Sequence, residues 1–175
     1  MNIGIIVHSH TGNTYSVAER LMESLVKDGH FVSIEKLTAV NDKEQDVRKV
    51  MLTYSPQIDD YDALVLGAPV RGFALSPVMA AYLSHVPSMQ GKVVECFVTE
   101  FFPYPWMGGN QAIKQMEEIC ELKGAIVLET GIVNWFSKHR KEQISSLIER
   151  QNEMVLIVDA VRGSLLSQFE KKIER

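Results

Sequence analysis

The chain is poor in the features that mark specialised classes of protein. Only two cysteines, Cys96 and Cys120, occur in its 175 residues. Both fall inside a predicted strand or helix with no basic neighbour to activate a thiolate, so they read as packing residues, and neither a disulfide framework nor a thiolate metal site is expected. No apolar run approaches the roughly 20 residues that a membrane span needs. The opening residues lack the basic start and small-residue cleavage site of a signal peptide, and a reducing cytoplasm is the expected location. Net charge is −4 and the first hundred residues hold no dense Lys/Arg cluster, which removes the electrostatic footprint of a nucleic-acid binder. There is no Pro/Gly/Ser-rich linker, internal repeat or low-complexity segment. With 46% hydrophobic and 23% charged residues, the composition fits one globular domain spanning 1–175.

What is present is a clear alternation. Short β-branched runs exchange with longer segments of helical period, the mark of a parallel α/β sheet. Five strands are predicted: "NIGIIVH" from Asn2, "FVSIEKL" from Phe31, "DALVLGAP" from Asp62, "KVVECFVTEF" from Lys92 and "AIVLETGIV" from Ala125. The third and fourth are almost continuously apolar, as strands covered on both faces must be. The first helix follows strand one, with Val17, Leu21, Leu25 and Val26 on one face and Gly29 as its stop. Further helices are predicted at about 76–85, 109–123 and 139–161. Between Thr38 and Tyr61 the pattern weakens: "NDKEQDVRKVM" reads as a short charged helix and "SPQIDDYD" as a turn. The C-terminal segment, about 151–175, carries an apolar stripe of Met154, Ile157, Val158, Val161, Leu165, Leu166 and Phe169 across Gly163. It would pack on its own domain or form a homodimer contact.

Ligands of open α/β sheets bind beyond the carboxyl ends of the strands. After strand one comes Ser9-His10-Thr11-Gly12-Asn13-Thr14, leading into the helix. A helix N-terminus offers unpaired N–H groups and a positive dipole end to an anion. Ser9, Thr11 and Thr14 add hydroxyls, Asn13 an amide, and Gly12 a backbone without a Cβ. The loop holds neither the G-x-G-x-x-G of a dinucleotide fold nor the lysine of a P-loop, so it suits a phosphate met by hydrogen bonds and dipole. Helix capping accounts for one such residue more readily than for four. "GAPVRGFALSP" after strand three and "TEFFPYPWMGGN" after strand four bring Phe73, Phe101, Phe102, Tyr104 and Trp106 near that loop, which suggests a flat aromatic ligand. Phe101 and Phe102 could equally close the core, whereas Trp106, set among Pro105, Met107, Gly108 and Gly109, reads as an exposed wall.

These segments resemble a known family. "SHTGNT" matches the T/S-x-T-G-x-T phosphate loop of flavodoxin-like proteins. "YDALVLGAPVRG" resembles the second flavin loop of that family, and "WMGGNQAIKQMEEICELKGAIVL" its third loop and following helix. The likeness runs in order over roughly residues 1–160. It implies a three-layer sandwich with a five-stranded parallel sheet ordered 2-1-3-4-5, and FMN as cofactor. By the resemblance, Ser9, His10, Thr11, Gly12, Asn13 and Thr14 hold the FMN phosphate. Pro69, Val70, Arg71, Gly72 and Phe73 run along the isoalloxazine, while Thr99, Glu100 and Phe101 with the turn of Trp106, Gly108 and Gly109 line its other side. The third loop is longer and more aromatic than in simple flavodoxins.

FMN carries redox chemistry itself, so the lack of a Ser/His/Asp or paired-carboxylate constellation does not argue against catalysis. An electron-transport flavodoxin is expected to be strongly acidic, and this chain is not. Two readings stand for Arg71. Beside the flavin its charge would favour the anionic reduced form and two-electron chemistry; alternatively it is a solvated arginine or a partner of Glu100. The P-x-R segment resembles the NAD(P)H-dependent quinone and FMN reductases of the family. The expectation is therefore an FMN-dependent oxidoreductase passing electrons from NAD(P)H, or from a protein donor, to a quinone-like or small aromatic acceptor. A one-electron carrier and a cofactor-free interaction module are the alternatives. His8, His10 and Glu100 are candidate proton donors with no role assigned, His8 reading foremost as a satisfied core histidine. Trp135 reads as a cap on the local core, with a shield for the flavin of a dimer mate as the alternative.

Overall fold

The computed structural model describes residues 1–173, with side chains described to residue 164. A parallel sheet is built outward from β1 (Asn2–His8), which pairs with β2 (Phe31–Ala39) on one side and β4 (Ala63–Arg71) on the other. Next to β4 lies β6 (Val93–Glu100), buried along its whole length, and beside β6 run β7 (Ile126–Val127) and β8 (Gly131–Asn134). Successive side chains of a strand point to opposite faces, so each apolar run supplies two cores. Ile3, Ile5, Val65 and Phe97 face α1 (Asn13–Lys27) and α4 (Arg140–Ile173); Ile6, Leu64, Leu66 and Val98 face α2 (Pro77–His85) and α3 (Gly109–Leu122). Cys96 and Cys120 meet in the second of these cores. No helix among the described residues is long and apolar enough to cross a membrane.

The expected five strands become eight in one sheet. The fifth breaks in two because Glu129 and Thr130 turn aside: Arg150 takes the Thr130 carbonyl at 2.6 Å, and the Thr130 hydroxyl donates to Glu117 at 2.7 Å. A short strand β3 (Leu52–Tyr54) adds antiparallel to the outer edge of β2. The other addition, β5 (Ala74–Leu75), folds back antiparallel on the end of β4 through a two-residue turn, Gly72-Phe73. Both turn residues have positive φ, 56° and 64°, as a type I′ hairpin requires.

The charged helix expected near residues 41–51 is a single 3₁₀ turn, Val47–Lys49. Polar side chains satisfy its backbone locally instead. Asp46 accepts the Arg48 N–H at 3.1 Å, and Asn41 bridges the Lys49 carbonyl and the Met51 N–H. At the other end of the chain α4 passes through Gly163 unbroken. Met154 and Val158 are buried against the α1 side of the sheet, so this half of the stripe packs on its own fold. The side chains of Leu165, Leu166 and Phe169 lie outside the described residues.

Candidate functional site

The carboxyl ends of β1, β4 and β6 open on one side of the sheet, and the loops that follow them meet there. Gly12 forms the N-cap of α1 in the left-handed conformation, φ 92°, and has no side chain with which to cap the helix itself. Its φ, rather than a close neighbour, demands glycine: a Cβ there would meet nothing within 4 Å. The loop hydroxyls are divided between two tasks. Ser9 is buried and accepts the Tyr15 N–H at 3.1 Å, while Thr14 is buried and shares a 2.8 Å hydrogen bond with Thr99 of β6. Thr11 and Asn13 point the other way, into a cleft of about 300 Å³, and His10 joins them there.

Pro69, Val70 and Arg71 at the end of β4 and Thr99, Glu100 and Phe101 at the adjoining end of β6 line this cleft. Trp135 and Phe136, just past β8, complete the wall. Of the residues singled out by sequence, Ser9, Gly12, Thr14, Gly72, Phe73, Trp106, Gly108 and Gly109 do not line it. Trp106 is 73% exposed and stacks on Tyr104 at 5.7 Å, so the expected wall at Trp106 is supplied by Phe101 and Phe136, whose rings meet edge to face at 4.4 Å. Trp135 packs against the core as expected and also lines the cleft, with the Arg140 guanidinium over its ring. Gly108 and Gly109 work behind the wall. At Gly108, φ is 125° and a Cβ would lie 2.8 Å from the Cα of Phe73, so this glycine lets the third loop lock onto the second. Gly109 packs directly on the Glu100 carboxyl.

The electrostatics centre on a residue that sequence reasoning passed over. Asp42 receives His8 Nε2 on one oxygen at 2.6 Å and His10 Nδ1 on the other. Its backbone carbonyl accepts Arg71 Nη1 at 2.6 Å, and that nitrogen stands 3.9 Å from Oδ2. Arg71 is thus a partner of Asp42, neither a solvated arginine nor a partner of Glu100. Burial lowers the His8 pKa below its ordinary value against the pull of Asp42. Burial pushes Asp42 up, but the hydrogen bonds from His8 and His10 outweigh it and hold the carboxyl below its usual range. Ser76, His8 and Asp42 line up like a hydrolase triad, with Ser76 Oγ 2.5 Å from His8 Nδ1. The serine is fully buried and caps α2 by accepting the Met79 N–H, so it is no nucleophile.

Glu100 is 3% exposed, with neither carboxyl oxygen hydrogen-bonded. Burial raises its pKa; Asn134 and the Gly109 N–H face it and pull the other way without closing a hydrogen bond. Asn134 gives its amide to the Phe102 carbonyl instead, which ties the third loop to β8. The signal for Trp135 and Phe136 was present in the sequence, because the carboxyl end of the fifth strand reaches the same edge as the others. For Asp42, inside a polar run, there was none.

A family model described as NADPH-dependent FMN reductase matches residues 1–139. The chain belongs to this family. A search of curated proteins finds no match. Among solved structures the chain is similar to oxidised flavodoxin 1 from Bacillus cereus, with a TM-score of 0.66 and 19% identity over 89% of this chain and 97% of that one. It is also similar to a WrbA-like flavodoxin from Agrobacterium tumefaciens, with a TM-score of 0.63 and 13% identity over 93% of this chain and 98% of that one. Against rubredoxin oxygen:oxidoreductase from Desulfovibrio gigas the TM-score is 0.64 at 19% identity, covering 94% of this chain and 37% of that one. At such identities the likeness speaks for the fold, which is flavodoxin-like α/β. The reductase family is one of FMN-binding flavoproteins, and FMN is the cofactor of this chain.

Proposed function

We propose that this FMN reductase family member is an NAD(P)H-dependent oxidoreductase that reduces a quinone-like or other small aromatic acceptor. The residues present fit FMN. A helix start opened by Gly12, with Thr11, Asn13 and His10 beside it, suits the phosphate, and a cleft at the lower end of ordinary ligand-site volumes suits the ring. When bound, FMN supplies the exchange of hydride and electrons. The chain's own part is to anchor the phosphate at the start of α1, to hold the ring against the adjoining ends of β4 and β6 at Pro69-Val70 and Thr99–Phe101, and to exclude water with Trp135.

The observation that carries the reading is the aromatic flank of the cleft. Phe101 and Phe136 are 66% and 64% exposed although they touch each other at its mouth, an arrangement suited to stacking a planar acceptor against the flavin. One observation favours the carrier instead: Arg71 is paired with Asp42, which weakens the case for a free cation stabilising the two-electron reduced state. Steady-state oxidation of NADH and NADPH with a soluble benzoquinone, set beside a reductive titration, tests the proposal. Turnover with quinone and reduction in one step support it. Accumulation of a half-reduced flavin without turnover would assign the chain to electron carriage.

A further inference from the structure

Asp42 lies outside all three loops that meet at the cleft, yet it touches two of them. Through His10 it reaches the phosphate loop, and through Arg71 it reaches the loop along the ring. The contact set is specific. Ser76 fixes His8 from behind at Nδ1, leaving Nε2–H for one Asp42 oxygen, while the other oxygen serves His10 and lies nearest the guanidinium. Burial keeps His8 in its neutral state. The remaining charged group beside this cluster, Lys36 of β2, lines the small hollow that His10 and Asp42 share. Arg71 is only 20% exposed, so the backbone carbonyl and carboxylate of Asp42 decide where its charge sits.

We propose that Asp42 is a positioning residue which ties the phosphate loop to the ring loop and holds Arg71 in a paired state, so that the flavin meets an opposed charge rather than a free cation. The proposal rests on the FMN reading above. Without the carboxylate the guanidinium keeps its backbone carbonyl partner but its charge is no longer opposed, and an unopposed positive charge near the ring binds the anionic reduced form more tightly than the oxidised one.

The test uses the full chain reconstituted with FMN and measures the two-electron midpoint potential and the FMN affinity of wild type, D42N, D42E, R71M and D42N/R71M. In D42N the preference for reduced over oxidised flavin rises about tenfold, a positive shift of about 30 mV for a two-electron couple. In the R71M background the same substitution shifts it at least threefold less, because the group it positions is gone. D42E keeps the charge and changes only its reach, and it too moves the potential. Equal shifts in both backgrounds would reduce Asp42 to a simple charge. An unmoved potential in D42N and D42E would overturn the proposal while leaving FMN binding intact. A wild-type chain that stays colourless after incubation with FMN would sink the FMN reading itself. Should D42N not fold, the D42E and R71M potentials still decide.

Discussion

Glu95 is an acid where an apolar residue would be expected, and replacing it by glutamine should change how stability depends on pH. It sits in the middle of β6 between Val93 and Phe97, 1% exposed, with neither carboxyl oxygen hydrogen-bonded. Arg150 is the one nearby charge that lowers its pKa, and that side chain is already engaged with Thr130 and Glu129. Burial prevails and pushes the Glu95 carboxyl from 4.5 up to about 8. The folded chain therefore binds more protons than the unfolded chain between those two values. Stability is fully present below pH 4.5 and is lost as pH rises through about 8. At 1.36 kcal/mol per unit, the loss reaches ~3 kcal/mol at pH 7 as an upper bound. E95Q cannot ionise and removes this slope, although its buried amide costs ~1–3 kcal/mol at every pH. Urea unfolding of wild type and E95Q at saturating FMN, from pH 5 to 8, measures the difference. His8, with its lowered pKa, contributes a slope of opposite sign below 6.5, but equally in both proteins, so it cancels. A wild-type minus E95Q difference that stays constant over this range would refute the reasoning.

Other outcomes follow from the same geometry. Thr14→Val strands the buried Thr99 hydroxyl that now meets it at 2.8 Å, and should cost ~1–3 kcal/mol in unfolding free energy together with weaker FMN binding by fluorescence titration. Gly108→Ala forces a side chain into φ 125° and against the Phe73 backbone at 2.8 Å; ~1–3 kcal/mol of strain should appear as a lower melting temperature and a looser aromatic loop, read as faster proteolysis there. FMN at a hundred times its Kd should stabilise the chain by ~2.7 kcal/mol, and riboflavin, which has no phosphate for the α1 N-terminus, by clearly less at equal concentration. Cys96 and Cys120 are both fully buried, and contact with Cys120 and burial push the Cys96 thiol up. Both should resist alkylation in the native state at pH 8 and react on unfolding, as mass spectrometry would show.

Those parts of the fold that were legible in the sequence rest on local physics. Apolar runs such as Leu64–Val65–Leu66 and Val93 to Val98, the latter interrupted by Glu95 alone, read as strands covered on both sides, and Val17, Leu21 and Leu25 as one face of a helix. What escaped depends on choices that single side chains make against the pattern. The fifth strand is interrupted at Glu129 and Thr130, where Arg150 donates to the Thr130 carbonyl and pairs with Glu129 while the Thr130 hydroxyl donates to Glu117. Asp46 and Asn41 replace the expected helix by side-chain bonds to the backbone, Asp46 to Arg48 two residues on and Asn41 across the segment to Lys49 and Met51. The loop positions of the site were readable, but the wall was not. Whether Trp106 or Phe136 flanks the cleft turns on Gly108 locking behind Phe73, and no local spacing encodes that contact.

Arg71 shows how the functional reading changes with such a contact. Alone in "PVRG" it argues for a cation beside the flavin and for two-electron chemistry. Against Asp42, 29 residues earlier in the chain, its charge faces a carboxylate 3.9 Å away. The same carboxylate meets His10, so under the proposed placement of FMN the phosphate and ring ends of the cleft share one contact in a segment that sequence spacing marks as mere solvated loop. A substitution at Asp42 should therefore be felt at both ends at once, in phosphate affinity and in potential. Substitutions of Lys43 or Glu44, which touch neither loop, should be felt at neither.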